Sequence, residues 1–214
     1  MSIKTILAYY QQQPVCVRCY LIVRSFILNF KKIFAYFPLH VDSIMELGCG
    51  YGMASFMLAR RYENIPIRSF DIDQNRIAIL NSINPFQYLS FHTKNIIEIQ
   101  QFDAGVIFMS DLLHHLPYHQ QEALLKKIFD TSPAGATVIV KDMDRGHRSF
   151  RQWCNYIIDR WHTKETRFYY HDKAGFLNLF AVCGYKVKQC DYINKWFIPL
   201  NHILFVLEKN GDNS

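Results

Sequence analysis

Residues 43–52 read SIMELGCGYG, an apolar strand pattern that ends in three closely spaced glycines. Gly48, Gly50 and Gly52 allow the backbone to bend tightly and to approach a ligand, because none of them carries a Cβ atom. The helix predicted to follow presents free backbone N–H groups at its start, which suit a carboxylate or a phosphate. The stretch therefore predicts a strand, a ligand-binding turn and a helix. A tight turn without a ligand is the alternative for these residues taken alone.

Acidic residues accompany this turn at positions that suit a nucleoside ligand. Glu46 ends an otherwise apolar strand, where a carboxylate is costly without a partner, and a ligand ammonium group would be such a partner. Asp71 ends the next predicted strand about 20 residues later, a spacing typical of carboxylates that bind ribose hydroxyls. Asp73 competes for that role, but we interpret it as the N-cap of the following helix.

Outward from the turn, strands and helices alternate along the whole chain. This rhythm predicts a doubly wound, mostly parallel α/β sheet with helices on both faces and an antiparallel final strand pair. Ligands of such sheets bind beyond the carboxyl ends of the strands. The predicted strands are 43–47, 66–70, 86–91, 102–109, 136–140, 185–192 and 197–208. The predicted helices of this part are 52–62, 74–84, 117–130, 150–161 and 172–183.

The segment before the sheet is predicted to be one amphipathic helix over residues 15–37, closed by Pro38. Arg24 falls opposite the apolar stripe in this pattern. We therefore divide the chain into an N-terminal helical extension, 1–40, and a second domain, 41–214. The stripe consists of Val23, Phe26, Ile27, Phe30, Ile33, Phe34 and Phe37.

The net charge of +6 is concentrated in the same segment. Residues 1–40 contain no Asp or Glu, and their basic side chains are Lys4, Arg18, Arg24, Lys31 and Lys32. Three interpretations of the helix follow from this pattern. It covers the ligand cleft as a lid, it lies on an anionic membrane surface, or it packs on the core with a solvated basic face.

Neither a membrane-spanning run of about 20 apolar residues nor a secretory signal is evident, so a cytoplasmic location is expected. The six cysteines are then expected to be reduced thiols. Cys16 and Cys19 have a C-x-x-C spacing, but no second ligand pair follows at zinc-finger distance, so no metal site is predicted. The sequence does not predict an oligomeric state.

Several stretches together resemble the class I S-adenosylmethionine (SAM)-dependent methyltransferases. Residues 44–52 are similar to the first motif of that family, 70–73 (FDID) to the second, and 102–117 to the fourth. The resemblance covers residues 40–208. It implies a seven-stranded sheet with a reversed final hairpin, SAM as cofactor and S-adenosyl-L-homocysteine (SAH) as product.

The resemblance also implies a set of cofactor contacts. Glu46 and the glycines would hold the methionyl part, Asp71 the ribose, and Asn95 with Ile96 the adenine. Ile72 in the second motif and Ser110 in the fourth complete this expected set: Glu46, Gly48, Gly50, Gly52, Asp71, Ile72, Asn95, Ile96 and Ser110. The family often has Asp where Asn95 stands, but an amide carbonyl also accepts a hydrogen bond from the adenine amino group.

Candidate acceptor-side residues are less distinctive. His114 and His115 are candidates for a general base, since histidine titrates near neutral pH, and the alternative is a role in orienting the loop. Residues 169–171 (YYH) precede a predicted helix that would border the acceptor pocket. Residues 141–144 (KDMD) either line that pocket or form a solvated loop, and we favour the loop.

The sequence favours transfer of a methyl group to a small or lipid-like apolar acceptor, with oxygen as the expected methylated atom. The basic amphipathic helix is the main reason. An RNA methyltransferase is the alternative, because basic residues bind phosphates, but the N/D-P-P-Y/F/W motif of base amino-methyltransferases is missing. A NAD-dependent oxidoreductase is disfavoured, because the glycine spacing is G-x-G-x-G and not G-x-G-x-x-G. A non-catalytic SAM-binding partner protein stays open.

Overall fold

The computed structural model describes residues 3–145, 167–194 and 201–209. The helix predicted over 150–161 lies outside these ranges, as does the start of the strand predicted over 197–208. Within the described part, three N-terminal helices precede an alternation of strands and helices. The helices are α1 (Ile3–Tyr9), α2 (Val15–Ile27), α3 (Phe30–Phe34), α4 (Met53–Arg61), α5 (Gln74–Ile83), α6 (Tyr118–Thr131) and α7 (Lys173–Val182). The strands are β1 (Ile44–Leu47), β2 (Ile67–Asp71), β3 (Leu89–Thr93), β4 (Val106–Ser110), β5 (Thr137–Met143), β6 (Tyr185–Tyr192) and β7 (His202–Lys209).

The seven strands form one sheet in the order β3-β2-β1-β4-β5-β7-β6. Strands β1 to β5 pair with one another in parallel, whereas β7 runs antiparallel to both β5 and β6. The predicted fold class and the reversed final pair are therefore confirmed. The chain direction across the sheet reverses between β1 and β4, so the carboxyl ends of these two strands flank the crevice where such folds bind ligands.

Two apolar clusters cover the two faces of the sheet. The first contains the N-terminal helices with α4 and α5, and the second contains α6 and α7. The buried residues Phe102 and Ala104 belong to the second cluster but precede β4, which begins at Val106. The predicted start of this strand was wrong because an apolar run marks burial, while pairing with Ile44 of β1 decides where the ladder begins.

The N-terminal segment differs from the single helix predicted over residues 15–37. The chain leaves helical geometry at Leu28, and the Asn29 side chain caps α3 by accepting a hydrogen bond from the Lys32 N–H at 3.2 Å. The break changes the helical phase, so the predicted stripe is wrong for α2. Val23 and Phe26 are 49% and 63% exposed. The inward side chains of α2 and its C-cap are Val17, Leu21, Arg24, Ser25 and Leu28.

The same segment packs into the first apolar cluster. The Phe37 ring contacts those of Phe34 and Phe108 at centroid distances of 5.5 and 5.1 Å, which joins α3 to strand β4. The division of the chain into 1–40 and 41–214 stays a prediction, but these contacts make the first part share a core with the second. No helix within the described ranges is long and apolar enough to cross a membrane.

Candidate cofactor and acceptor site

A cavity of about 400 Å³ lies at the carboxyl ends of β1, β2 and β4, beneath helix α2. One side is formed by the glycine turn and the segments after β2 and β3. The other is formed by α2, the start of α3 and the segment after β4. The side chains and backbone that line it include every residue of the expected cofactor set except Gly52. They also include residues that sequence reasoning did not assign to the site, namely Tyr20, Leu21, Arg24, Leu28, Phe30, Cys49, Tyr51, Met53, Ala54, Asp73, Arg76, Lys94, Asp111, Leu112 and Leu116.

The three glycines of the turn have different roles. All have positive φ, at +72° for Gly48, +56° for Gly50 and +64° for Gly52, a conformation that glycine adopts without strain. A Cβ atom on Gly52 would lie 2.6 Å from Leu80, so this glycine is required for helix packing. A Cβ atom on Gly50 would meet no protein atom within 4 Å. The backbone at Gly50 therefore faces open space in the cavity.

The carboxylate of Asp71 is buried and oriented by the backbone. One oxygen accepts a hydrogen bond from the Gly50 N–H at 2.7 Å, and the other from the Asp73 N–H at 3.0 Å. Each oxygen keeps a second lone pair for a donor in the cavity. Asp73 instead caps α5, since its side chain accepts from the N–H groups of Asn75 and Arg76 at 2.9 and 3.2 Å. The predicted capping role of Asp73 is confirmed.

Glu46 is a buried acid at the wall of the cavity. Its Oε2 accepts hydrogen bonds from the hydroxyls of Ser55 on α4 and Ser69 on β2, the latter at 3.0 Å. Burial raises the pKa of Glu46 to about 7, although the two hydroxyls oppose this shift. A cationic group in the cavity would favour the charged form of this carboxyl. The structure thus supplies two neutral partners for Glu46, beyond the ligand ammonium that sequence reasoning considered.

The residues expected to contact adenine lie together at the ends of β2 and β3. Asn95 begins a 3₁₀ turn at Ile96–Glu98, and its side-chain oxygen accepts a hydrogen bond from the Ile97 N–H at 3.1 Å. Ile72 is 70% exposed at the rim of the cavity, whereas Ile96 is buried. Ser110, at the end of β4, lines the opposite side. The side-chain oxygen of Asn95 therefore stabilises its own turn, and only its remaining lone pair can accept a hydrogen bond from a ligand.

The two adjacent histidines are in different environments. His115 lines the cavity, whereas His114 is buried behind it with its Nδ1 hydrogen-bonded to Asp142. The ring centroids of His114 and His115 are 4.2 Å apart, and His114 stacks on Tyr170 at 5.1 Å. Asp142 also accepts from the Leu113 N–H at 3.0 Å, so it fixes the turn that carries both histidines.

The segments 141–144 and 169–171 support the site from behind and do not line the cavity. Lys141, Asp142 and Asp144 are buried, so the solvated loop that we favoured is wrong. Burial of Lys141 is compensated by its ion pair with Asp111. Burial of Asp142 is compensated by its hydrogen bonds to His114 and to the Leu113 N–H. Tyr169 donates its backbone N–H to the His114 carbonyl at 2.8 Å, so 169–171 braces the histidine turn.

Asp111 is a buried anion in the segment after β4, a segment expected at this edge, but its ion pairs were not predicted from the sequence. Arg24 of α2 lies 2.5 Å from one of its oxygens, and Lys141 of β5 binds the other. Burial opposes ionisation, but Lys141 and Arg24 hold the pKa of Asp111 well below its usual range. The sequence signal for this contact was Arg24, which interrupts the apolar run of α2 and which the helical pattern placed toward solvent.

Comparison with known proteins gives one family and many related folds. Residues 44–135 match the family model described as a methyltransferase domain. This range contains the glycine turn, Asp71, Asn95 and the histidine turn. No curated protein matches the sequence significantly.

Solved structures share the fold at low identity. A chain described as a pericyclic reaction enzyme is 17% identical with a TM-score of 0.64, and the match covers 86% of this chain but 47% of that one. Magnesium protoporphyrin IX methyltransferase from Synechocystis PCC 6803, with bound SAH, is 14% identical with a TM-score of 0.60, over 94% of this chain and 84% of that one. NcsB1, an O-methyltransferase from neocarzinostatin biosynthesis, is 15% identical with a TM-score of 0.65, over 84% of this chain and 53% of that one. This chain therefore spans about half the length of two of these three neighbours.

The strand order, the reversed final pair and the glycine turn at the carboxyl edge define a class I methyltransferase fold. The matched domain contains the motifs on which the resemblance was based, and the resemblance is confirmed. Residues 44–135 are therefore similar to a methyltransferase domain, and the described fold is that of the class I SAM-dependent methyltransferases. Two neighbours that share this fold, the Synechocystis enzyme and PigF, were solved with SAH.

The raised pKa of Glu46 leads to a stability prediction. An unfolded Glu titrates near its ordinary value of 4.5, whereas folded Glu46 titrates at about 7, so the folded state holds an extra proton between these values. The stability from this group is complete below pH 4.5 and is lost as the pH rises through 7. Glu46→Gln should therefore stabilise the cofactor-free protein at pH 8 by up to about 3 kcal/mol, with a difference that is constant above pH 7 and shrinks as the pH falls toward 4.5.

Urea unfolding at a series of pH values measures this effect. Glu63→Gln, at an exposed position, is the matched control and should give no comparable pH-dependent gain. A Glu46→Gln variant that is less stable than the wild type at pH 8 would show that Glu46 is stabilised as an anion by its surroundings.

Proposed function

We propose that this methyltransferase acts on an oxygen atom of a small or lipid-like apolar acceptor, which binds between helix α2 and the turn that carries His115. The observation that supports this proposal is the lining of the cavity. Its α2 side is formed mainly by apolar and aromatic side chains, namely Tyr20, Leu21, Leu28, Phe30, Leu112 and Leu116. The opposite side contains the carboxylates and the glycine turn that suit the cofactor.

The cofactor roles that we assign follow from this division. The open backbone at Gly50 and the start of α4 take the methionyl part, Asp71 takes the ribose hydroxyls, and the Asn95 turn takes the adenine. Bound SAM supplies a methyl group that is already activated by the sulfonium. The protein therefore contributes mainly by aligning the acceptor with this methyl group and by excluding water. Leu21 and Leu28 of the α2 region supply the apolar roof that excludes it.

We assign the role of general base to His115, because it lines the cavity while His114 does not. A base is needed when the acceptor is an alcohol or another group protonated at neutral pH. His114 then acts as a positioning residue, since Asp142 and the ring of Tyr170 fix its orientation directly behind His115. The two histidines of the sequence prediction thus receive different roles.

The descriptions of two structural neighbours are consistent with an acceptor of this kind. NcsB1 was solved with SAH and 1,4-dihydroxy-2-naphthoic acid, a small aromatic molecule with hydroxyl groups. The Synechocystis enzyme is described as acting on magnesium protoporphyrin IX. At 15% and 14% identity these likenesses show the fold alone, so the lining of the cavity carries the proposal.

The same proposal includes peripheral contact with an anionic membrane. The outward side of α2 carries Val15, Ile22 and Val23, which are 62%, 40% and 49% exposed. No Asp or Glu occurs before Asp42, so this apolar surface lies in a segment whose only charged side chains are basic. An apolar surface in a basic segment is typical of helices that bind anionic lipid surfaces. The inward side of the same helix lines the cavity, which gives a lipid-like acceptor a short path from the bilayer.

A binding experiment tests the two carboxylates. Asp71→Ala should weaken SAH binding by roughly ten- to a hundredfold, because it removes a charged hydrogen-bond acceptor. Asp73→Ala should mainly lower stability, by about 1 kcal/mol, because it removes a helix cap. Isothermal titration calorimetry with SAH and thermal unfolding separate these effects. If Asp73→Ala abolishes SAH binding while Asp71→Ala leaves it intact, the assignment is wrong.

A transfer experiment tests the acceptor class. The protein is incubated with SAM labelled in its methyl group and with either a bacterial lipid extract or total RNA. Label should enter the organic phase of the lipid reaction and not the RNA precipitate. Label that is released as methanol by mild alkali would identify a methyl ester. Transfer to RNA alone would support the alternative substrate, and transfer to neither, despite SAH binding, would favour a non-catalytic SAM-binding protein.

A sedimentation experiment tests the membrane contact. The protein should sediment with vesicles containing anionic phospholipid at low salt and be released at high salt, because salt screens the basic side chains. Val23→Asp should weaken this binding several-fold. Val182→Asp is the matched control, since Val182 is 53% exposed on α7 against the other face of the sheet. Equal losses in the two variants, or no sedimentation of the wild type, would contradict the contact.

A further inference from the structure

Helix α2 spans the cavity and contacts the chain on both sides of it. At one side, the Tyr20 ring lies 5.4 Å from the ring of Tyr51 in the glycine turn. At the other side, one turn further along the helix, the Arg24 Nη2 lies 2.5 Å from Asp111 Oδ2. Because Tyr51 follows β1 and Asp111 follows β4, the helix bridges the two strands that flank the cofactor crevice.

The core holds Asp111 in place independently of the helix. Asp111 has a φ of +54°, which is unusual for a residue with a side chain, and its N–H donates to the Lys141 carbonyl at 2.8 Å. The Nζ of Lys141 donates to Asp111 Oδ1, and Lys141 is fully buried in β5. One carboxylate oxygen thus belongs to the sheet, and the other is directed at Arg24.

Asp111 forms ion pairs with Arg24 and Lys141, and only the pair with Arg24 can break at a low free-energy cost. Lys141 is completely buried, so losing its partner would leave an uncompensated charge in the core. The Arg24 side chain is 21% exposed, so it reaches water when it leaves Asp111, which keeps Lys141 as its partner. His202 lies 4.0 Å from Asp111, and burial together with Lys141 lowers its pKa, so it stays neutral near pH 7.

We propose that Arg24 is a positioning residue that latches helix α2 over the cavity through Asp111, and that this ion pair opens when SAM enters and SAH leaves. The proposal rests on the assigned cofactor cavity and adds a way to regulate access to it. Closure would keep SAM and the acceptor in register and exclude water. Opening costs little because Asp111 stays paired with Lys141.

Removal of the arginine tests the latch. Arg24→Met keeps much of the apolar stem but removes the charge, so it should raise the dissociation rate of SAH about tenfold while the association rate changes less. Hydrogen exchange of the backbone amides of residues 15–28 should become faster in the same variant, even without a ligand. Arg24→Lys should restore part of both effects. Lys31→Met, an exposed basic position on α3, is the matched control and should change neither.

A double-mutant cycle tests whether Arg24 acts through Asp111. Arg24→Met should have little further effect on SAH dissociation in an Asp111→Asn background, because the same interaction is already lost. Unchanged SAH dissociation and unchanged exchange of residues 15–28 in Arg24→Met would overturn the latch. So would full additivity in the cycle. Should the wild type fail to bind SAH, the cofactor site itself is wrong, and the exchange of the ligand-free helix still decides whether Arg24 latches it.

Discussion

The parallel pairing of β1 with both β2 and β4 is the constraint on which the rest of the molecule depends. It aligns Leu47 with Phe70 and with Met109, so the chain leaves all three strands at one edge of the sheet. The glycine turn, Asp71 and Asp111 follow those strand ends and are therefore brought around one cavity. Backbone pairing fixes the spacing of these strand ends. The fold therefore sets where the side chains at this edge lie, and the sequence sets their chemistry.

Buried polar contacts determine which helix and which turn lie over this edge of the sheet. Asp111 links α2 to the sheet through Arg24 and Lys141, and Asp142 holds the histidine turn through His114. A buried ion pair contributes little net stability, because desolvation of the charges offsets their attraction. Its effect here is on placement: each pair specifies which helix or turn lies over the cofactor crevice. The same placement gives α2 one side that lines the cavity and one side that faces solvent.

Local chemistry made much of the cofactor side predictable. A glycine turn, an acid at a strand end and a helix cap each depend on neighbours within a few residues. Asp73 was accordingly identified as a cap and residues 48–52 as a tight turn between strand and helix, and eight of the nine residues expected to contact the cofactor line the cavity. Gly52 is the exception, because its lack of a Cβ atom serves packing against Leu80, a contact nearly 30 residues distant in sequence. Such a partner has no local signal.

The sequence by itself determined the order of the described strands and the fold class, because hydrophobic periodicity and turn signals encode them locally, and the resemblance of its short motifs indicated SAM as the cofactor. Only the tertiary structure decided the direction of Arg24, the burial of residues 141–144 and the separate environments of His114 and His115. Each of these depends on a partner from another element: Asp111 for Arg24 and Lys141, and Asp142 for His114. A charged side chain is placed toward solvent by any pattern rule, and only a counterion contributed by a distant segment brings it into the core.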